Sequence, residues 1–178
     1  RTRFSTTQTR TITMNITVLE PDATVRFLNR GTVLSTASIP LGTRIGDQMH
    51  ADLAETDLIF DGWYKDNGTK VTANSIVNND FDAHARWRYT LSFETNGGNT
   101  IQDRTPIQGQ PVGNLPVPTK AGSAFAGWYS DGAFTQPVTS SSVLDANTTL
   151  YAKWDTTGHL VRYFSYNGTM NVGSALVA

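Results

Sequence analysis

The sequence contains no cysteine, few lysines and no long apolar run. Without cysteine the chain forms no disulfide, zinc–thiolate centre, iron–sulfur cluster or thiol nucleophile. No apolar run approaches the roughly 18 to 20 residues that span a bilayer. Because 14 basic residues nearly balance 15 acidic ones, the chain lacks the basic surface that nucleic acids and anionic membranes require. We therefore expect no nucleic-acid partner and no membrane insertion in this segment.

An aromatic motif that occurs twice organises the rest of the chain. Its copies are FDGWY at residues 60–64 and FAGWY at residues 125–129. Each copy leads, after a polar turn, to a segment that ends in a second tryptophan, AHARW at 83–87 and LYAKW at 150–154. Corresponding residues of the two copies lie about 66 positions apart, a period that indicates tandem repeated modules.

The repeat divides the chain into four parts. Residues 22–88 form a diverged first repeat, and residues 89–155 form a second repeat. Residues 1–21 contain an alternating apolar pattern that predicts a strand, either at the edge of the first repeat or at the end of a preceding domain. Residues 156–178 are either a C-terminal tail or the start of a further repeat. Because the chain begins with Arg1 rather than Met, we expect a fragment of a longer protein with neighbouring domains.

Strand patterns dominate both repeats. In the first repeat, residues 25–28 and 32–39 predict two strands that are joined by a turn at 29–31. Residues 60–64 predict a further strand, followed by a hairpin turn at 65–68. The predicted fold class is therefore α+β and mostly β.

One segment in each repeat interrupts the strands. Ile45, Met49 and Leu53 lie four residues apart, which predicts a short helix over residues 45–54 with Asp47 as its cap. The corresponding segment of the second repeat carries two prolines, which exclude a long helix there. A turn or a single helical turn is expected in its place.

A module of this size needs large side chains to build a core without disulfides. The predicted core residues are Phe27, Phe60, Trp63 and Trp87 in the first repeat, and Phe93, Phe125, Trp128 and Trp154 in the second. Gly62 and Gly127 fall in the middle of predicted strands, which indicates a bulge or an aromatic ring across the backbone. The tyrosines are the better candidates for contact with a partner protein or a glycan, namely Tyr64, Tyr129 and Tyr151.

The sequence carries no pattern that assigns a catalytic, cofactor-binding or metal-binding residue. Asp80, Asp82 and His84 alternate and would share one face of a strand, but we interpret that face as solvated because a metal site needs further ligands. The sequence contains neither a phosphate-binding glycine loop nor a Gly-x-Ser-x-Gly elbow. A pair of acidic residues of the glycosidase type is not excluded by spacing alone.

The two aromatic motifs resemble the Listeria–Bacteroides repeat, the internalin B-repeat group, over about residues 23–155. The second copy matches closely, with FAGWYSD at 125–131 and TLYAKW at 149–154, whereas the first has His84 and Arg86 at two motif positions. The resemblance implies a β-grasp-like module, a small mixed sheet curled around a short helical or turn segment. It also implies tandem modules in bacterial surface and secreted proteins, and it brings no catalytic residues.

The leading functional hypothesis is non-enzymatic. It describes an extracellular segment of a bacterial cell-surface or secreted protein that acts as a spacer or stalk and contacts other proteins in adhesion. Short linkers at 87–89 and 155–157 predict an elongated, semi-rigid arrangement. The alternatives are a carbohydrate-binding adhesin module that uses exposed tyrosines, and a fragment of an enzyme.

Overall fold

The computed structural model describes residues 21–155, 159–161 and 175–177. The strands of the first repeat are, in chain order, β1 (Asp22–Asn29), β2 (Thr32–Pro40), β3 (Thr43–Arg44), β4 (Ile59–Tyr64), β5 (Lys70–Val71), β6 (Ile76–Val77) and β7 (Phe81–Arg88). Five of these strands form one sheet in the order β2-β1-β7-β4-β5, and β3 pairs with β6. The central pair, β1 and β7, is parallel, while the outer pairs are antiparallel. The first repeat is thus built on a mixed sheet.

The second repeat pairs its strands in the same way. Its strands are β8 (Leu91–Glu94), β9 (Ala124–Tyr129), β10 (Pro137–Val138) and β11 (Thr148–Asp155). They form a sheet in the order β10-β9-β11-β8, in which β8 and β11 are parallel. This sheet, described throughout residues 89–155, has no fifth strand corresponding to β2. Beyond it, β12 (His159–Val161) pairs with β13 (Ala175–Val177).

The first hairpin shows why the predicted turn at 29–31 forms. Arg30 and Gly31 adopt positive φ angles of 49° and 82° between β1 and β2. Two consecutive residues in the left-handed region match the twist of a two-residue hairpin turn. Inward-facing Val25 and Phe27 are fully buried on β1. The predicted pair of strands is confirmed.

The predicted helix over residues 45–54 is wrong. A single 3₁₀ turn, Gly46–Gln48, takes its place, and the side chain of Asp47 does not cap it. Gly46 has a φ of 56°, and the chain is extended again at Met49. A ten-residue helix is marginal in water, and here the amides of residues 45 and 46 donate hydrogen bonds to the carbonyls of Ser75 and Ala73, which hold this segment in place. The first repeat is therefore mostly β, as predicted, but it has almost no helix and is not α+β.

The corresponding segment of the second repeat contains no helix either. Residues 112–118 form an irregular connection with a bend at Asn114. The carbonyl of Pro116 accepts a hydrogen bond of 2.7 Å from the indole Nε1 of Trp128. The predicted absence of a long helix is confirmed, but the segment is irregular rather than a turn or a helical turn, and it closes over the tryptophan of the second motif.

Each sheet covers its own hydrophobic core. The first core contains the fully buried side chains of Phe27 and Trp63, whose rings meet edge to face with centroids 5.1 Å apart. The second core contains Trp128 and Leu150, with Phe93 and Trp154 packed against it. Aromatic pairs of this geometry contribute about 0.5–1.5 kcal/mol beyond the area that they bury.

A β-bulge lies in each motif strand, as the two mid-strand glycines predict. Pairing between β4 and β7 shifts register between Phe60 and Gly62, and pairing between β9 and β11 shifts at the corresponding place. Gly62 and Gly127 have φ angles of 124° and 134°. Only glycine adopts such angles without strain.

Alanine at either bulge glycine is expected to destabilise its repeat by about 1–3 kcal/mol, measured by urea denaturation. A Cβ at Gly62 would lie 2.7 Å from the end of the Lys70 side chain, whereas the nearest atom at Gly127 is 3.8 Å away. Because the nearest atoms at Gly62 belong to the far end of a flexible lysine side chain, which can shift, the backbone angle dominates at both positions. Loss of stability in Gly62→Ala but not in Gly127→Ala would contradict this reason.

Two predicted segments lie outside the described residues. The alternating strand expected within residues 1–21 lies outside the described residues, which begin at residue 21. In the 156–178 region, only the backbone pairing of β12 with β13 is described. The alternatives for these two segments stay predictions.

Candidate functional site

The outer face of each sheet carries the polar side chains that alternate with the core. On β11, Leu150 and Ala152 are buried, and Tyr151 and Lys153 point the other way. On β7, Ala83 and Trp87 are buried, and the polar residues His84 and Arg86 between them are half-buried. The register of the strands makes the two outer faces directly comparable.

The β-bulges determine which side chains lie beside these outward-facing residues. Gly62 pairs with Arg86 in the first repeat, and Gly127 pairs with Lys153 in the second. The extra residue before each glycine is Asp61 in the first repeat and Ala126 in the second. The first face therefore has a carboxylate at a position where the second face has a methyl group.

Asp61 is the centre of a charged cluster on the first face. Its carboxylate oxygens accept hydrogen bonds from Arg86 Nε at 2.6 Å, Arg88 Nε at 2.7 Å and the Tyr64 hydroxyl at 3.0 Å. Burial raises the pKa of the Asp61 carboxyl, but the bonds from Arg88, Arg86 and Tyr64 together outweigh it and lower the pKa to about 2. The carboxylate is therefore ionised at neutral pH and holds two arginines in place.

The same cluster covers the tyrosine of the first motif. The Arg86 guanidinium carbon lies 3.2 Å from the centroid of the Tyr64 ring. Lys70 crosses Gly62 and donates a hydrogen bond of 2.8 Å to the Asp61 carbonyl. The face around Tyr64, a predicted contact residue, is thus filled by the repeat's own side chains.

The second face is open by comparison. The Nζ of Lys153 lies 5.2 Å from the centroid of the Tyr129 ring and 5.9 Å from that of Phe134. Phe134 meets Tyr129 edge to face with centroids 5.6 Å apart. Pro137 pairs with Tyr129 where Lys70 pairs with Tyr64, so no lysine crosses Gly127. Tyr129, unlike Tyr64, has no guanidinium of the described residues stacked on it.

A short loop fixes Phe134 in this position. The Asp131 carboxylate accepts hydrogen bonds from the backbone amides of Thr135 and Gln136, at 3.0 Å and 2.8 Å. These amides, with that of Gln136 strongest, lower the pKa of the Asp131 carboxyl. Phe134 itself has a φ of 58°, which turns its ring back over the sheet. Sequence reasoning missed Phe134, because it lies in a loop outside both motifs.

A groove of about 480 Å³ runs along this second face. Its walls are formed by two lysines, three aromatic side chains, an amide and backbone, namely Lys120, Lys153, Phe134, Tyr151, Trp154, Asn96, Gly132 and Ala152. No carboxylate of the described residues lines it. Tyr151, the third predicted contact residue, therefore lies in this groove, and Tyr129 lies beside it.

The junction between the two repeats also uses a residue of the Asp61 cluster. Arg88 Nη1 donates a hydrogen bond of 2.8 Å to the carbonyl of Thr105, a residue of the second repeat. The amide of Gln108 donates to the carbonyl of Trp87, and Arg88 and Ile107 form a β-bridge. Backbone pairing therefore continues across the boundary from the first repeat to the second.

Apolar packing also crosses this boundary. Leu58, from the first repeat, packs against the core of the second repeat. Tyr89, in the linker between the sheets, is fully buried in that core. The linker is thus part of a packed structure. Sequence reasoning predicted a short linker but did not identify Arg88 or Leu58.

The predicted core residues lie at different depths. Phe27, Trp63, Trp87 and Trp128 are at most 3% exposed. The other four, Phe60, Phe93, Phe125 and Trp154, are partly buried. The indoles of Trp87 and Trp154 donate hydrogen bonds to Asn29 Oδ1 and to the Thr95 carbonyl.

The alternating acidic and histidine residues of β7 do not converge on one point. Asp80 accepts a hydrogen bond from the Thr24 amide, Asp82 pairs with Arg26, and His84 lies 3.0 Å from Asp66. Across the described part of the chain, no three His, Asp or Glu side chains are grouped closely enough to hold a metal ion. No helix among those residues has the length and apolar character needed to cross a membrane.

Two consecutive mixed sheets, each with its own aromatic core, define a chain of small repeated β modules. The model of the Listeria-Bacteroides repeat domain family matches residues 24–85 and residues 89–153. These matches cover more than half of the sequence, and the chain belongs to the Listeria-Bacteroides repeat family.

Two proteins of the bacterium Evansella cellulosilytica are similar to this chain. One, named "Putative Gly-rich membrane protein", is 29% identical over 154 residues, which is 79% of this chain. The other, named "Putative membrane protein", is 33% identical over 111 residues, which is 58% of this chain. The chain spans 17% of the length of each of these relatives.

Proposed function

We propose that this segment is a non-enzymatic spacer, or stalk, within a longer bacterial cell-surface or secreted protein. Its work is to hold neighbouring domains apart and to offer surface for protein contact in adhesion. The observation that carries the proposal is the packed junction, in which Arg88 joins Asp61 of one repeat to Thr105 of the next. A spacer has to transmit position along its length, and a hydrogen-bonded junction does so better than a flexible linker.

The fold supports the same role. Each repeat is a mixed sheet that contains one parallel pair of strands, and neither repeat has, in its described residues, a helix longer than a single 3₁₀ turn, which is compatible with a β-grasp-like module. The family match likewise favours a repeated module over an enzyme. An extracellular location is part of the proposal, and the names of the two relatives are consistent with the cell envelope. Labelling of intact cells of the source organism with an antibody against residues 21–155 tests the location.

Substitution of Arg88 by alanine is expected to loosen the junction while both repeats stay folded. The change removes the side chain that contacts both Asp61 and the Thr105 carbonyl. Residual dipolar couplings measured by NMR should fit one alignment tensor for both repeats in the wild type and two different tensors in Arg88→Ala.

The matched control is Arg26→Ala. Arg26 pairs with Asp82 on the first sheet, away from the junction, so its loss should leave a single tensor. Two independent tensors already present in the wild type would overturn the proposal of a semi-rigid, elongated spacer.

Carbohydrate binding is a second candidate function, favoured by the open aromatic groove of the second repeat. The groove has the volume and the mixture of aromatic and polar side chains that small-ligand sites share. Titration of the wild type with soluble oligosaccharides, followed by NMR shifts of the backbone amides of β9 and β11, tests this candidate.

A further inference from the structure

The two outer faces differ in how their cations are paired as well as in openness. In the first repeat, Asp61 pairs with Arg86 and Arg88 and so neutralises part of their charge. In the second repeat, Ala126 takes the place of that carboxylate. Among the described residues, no Asp or Glu lies within ion-pair distance of Lys153 or Lys120. The lysines of the second face therefore have no carboxylate partner among the described residues, whereas Asp61 pairs with both arginines of the first face.

The carboxylates near the groove are engaged elsewhere. Glu94 Oε1 accepts a hydrogen bond of 2.9 Å from the Asn96 amide. Asp131 is held by the amides of its own loop. Lys120 Nζ donates to the Asn96 carbonyl at 2.7 Å, which fixes its position but leaves its charge uncompensated. The groove thus presents two cations, Lys120 and Lys153, to a ligand.

The aromatic side chains complete the chemistry of the site. Phe134, Tyr129 and Tyr151 are half-buried, so each ring exposes part of its face or edge. A residue other than glycine at position 127 would place its side chain on this face. Gly127 therefore leaves the sheet surface beside Tyr129 uncovered. A sugar ring has an apolar face that suits such surfaces, and lysines attract an anionic substituent on that ring.

We propose that the groove of the second repeat binds an acidic saccharide, with the sugar ring against Phe134 and Tyr151 and its carboxylate at Lys153 and Lys120. This inference rests on the carbohydrate-binding candidate and is independent of the spacer role. It assigns the site to one repeat only, since Arg86 and Lys70 fill the corresponding surface of the first.

A tetrasaccharide of galacturonic acid and maltotetraose are the acidic and neutral probes. Calorimetry on the whole chain should show binding of the acidic probe that weakens with added salt. Lys153→Gln should weaken that binding at least tenfold. Lys65→Gln is the matched control, because Lys65 also lies over an aromatic ring, at 3.8 Å from the Phe81 centroid, but in the first repeat. It should bind as the wild type does.

Ala126→Asp is the sharper variant. It restores, beside Lys153, the carboxylate that Asp61 supplies in the first repeat, and it should abolish binding of the acidic probe. Position 126 is an exposed bulge residue, so an unchanged pattern of NMR amide peaks outside β9 would show that the fold is kept.

The possible outcomes distinguish acidic specificity from carbohydrate binding in general. Equal binding of both probes would overturn the acidic specificity but leave carbohydrate binding in place. Equal binding of polyglutamate and the acidic probe would overturn the saccharide, since charge alone would then suffice. Failure of both sugars to bind at millimolar concentration would overturn the site and carbohydrate binding together, and the spacer proposal would still depend on the dipolar couplings alone.

Discussion

Replacing Trp63 with alanine is expected to remove most of the stability of the first repeat. Trp63 is fully buried and contacts the rings of Phe27, Phe60 and His50 at centroid distances of 5.0–5.5 Å. Truncation of a core tryptophan to alanine costs about 3–5 kcal/mol. The total stability of a module of this size is roughly 3–10 kcal/mol. The substitution therefore removes a large share, or all, of the first repeat's stability.

Guanidinium denaturation followed by NMR amide peaks separates the two repeats. Peaks of β1, β4 and β7 should be lost at a much lower denaturant concentration in Trp63→Ala than in the wild type, while those of β9 and β11 stay. Simultaneous loss of peaks from both sheets would instead show that the two cores unfold as one unit. Loss of neither would contradict the role of Trp63 in the core.

Phenylalanine provides a matched comparison between the two motif tryptophans. The Nε1 of Trp63 is buried without a hydrogen-bond partner among the described residues, whereas that of Trp128 donates to the Pro116 carbonyl at 2.7 Å. Trp128→Phe should therefore cost about 1 kcal/mol more than Trp63→Phe, since it also removes a hydrogen bond. Equal losses in the two variants would mean that the Pro116 bond contributes nothing.

The sequence predicted the sheet of the first repeat better than the segment that closes it. The turn at 29–31 and the bulges at Gly62 and Gly127 follow from local chemistry, because few residues other than glycine tolerate the required backbone angles. The four-residue spacing of Ile45, Met49 and Leu53 correctly indicated side chains that pack on the core. Such spacing reports burial, but extended and turn conformations also bury residues, so it did not establish a helix.

The outer faces were harder to predict, since they depend on register. Tyr64 and Tyr129 occupy the same motif position, yet only one is covered by a guanidinium. The sequence does contain a sign of this difference, because the first copy has Asp61 where the second copy has Ala126. Its meaning depends on a bulge that turns this residue toward β7, which pattern reasoning alone does not place.

Asp61→Asn is expected to destabilise the first repeat at neutral pH by about 2 kcal/mol. The pKa of Asp61 is lowered from 3.8 to about 2, and a tenfold change in an acid dissociation constant corresponds to about 1.4 kcal/mol. Because the pKa is lower in the folded state, the carboxylate stabilises the fold fully above a pH of about 4 to 5. That contribution is lost as the pH falls toward about 2.

The pH dependence distinguishes this effect from general damage to the fold. Urea midpoints of the wild type and Asp61→Asn should differ most at a pH of about 6 to 7 and converge as the pH approaches about 2. Asp66→Asn is the control, because the Asp66 side chain is 88% exposed and its ion pair with His84 lies at the surface. The midpoint of this variant should match that of the wild type at neutral pH. A difference that stays constant from neutral to acidic pH would mean that the side-chain shape of Asp61, rather than its charge, stabilises the repeat. A difference that vanishes on acidification would instead show that the charge of this one carboxylate, placed by a bulge beside Arg86 and Arg88, stabilises the repeat.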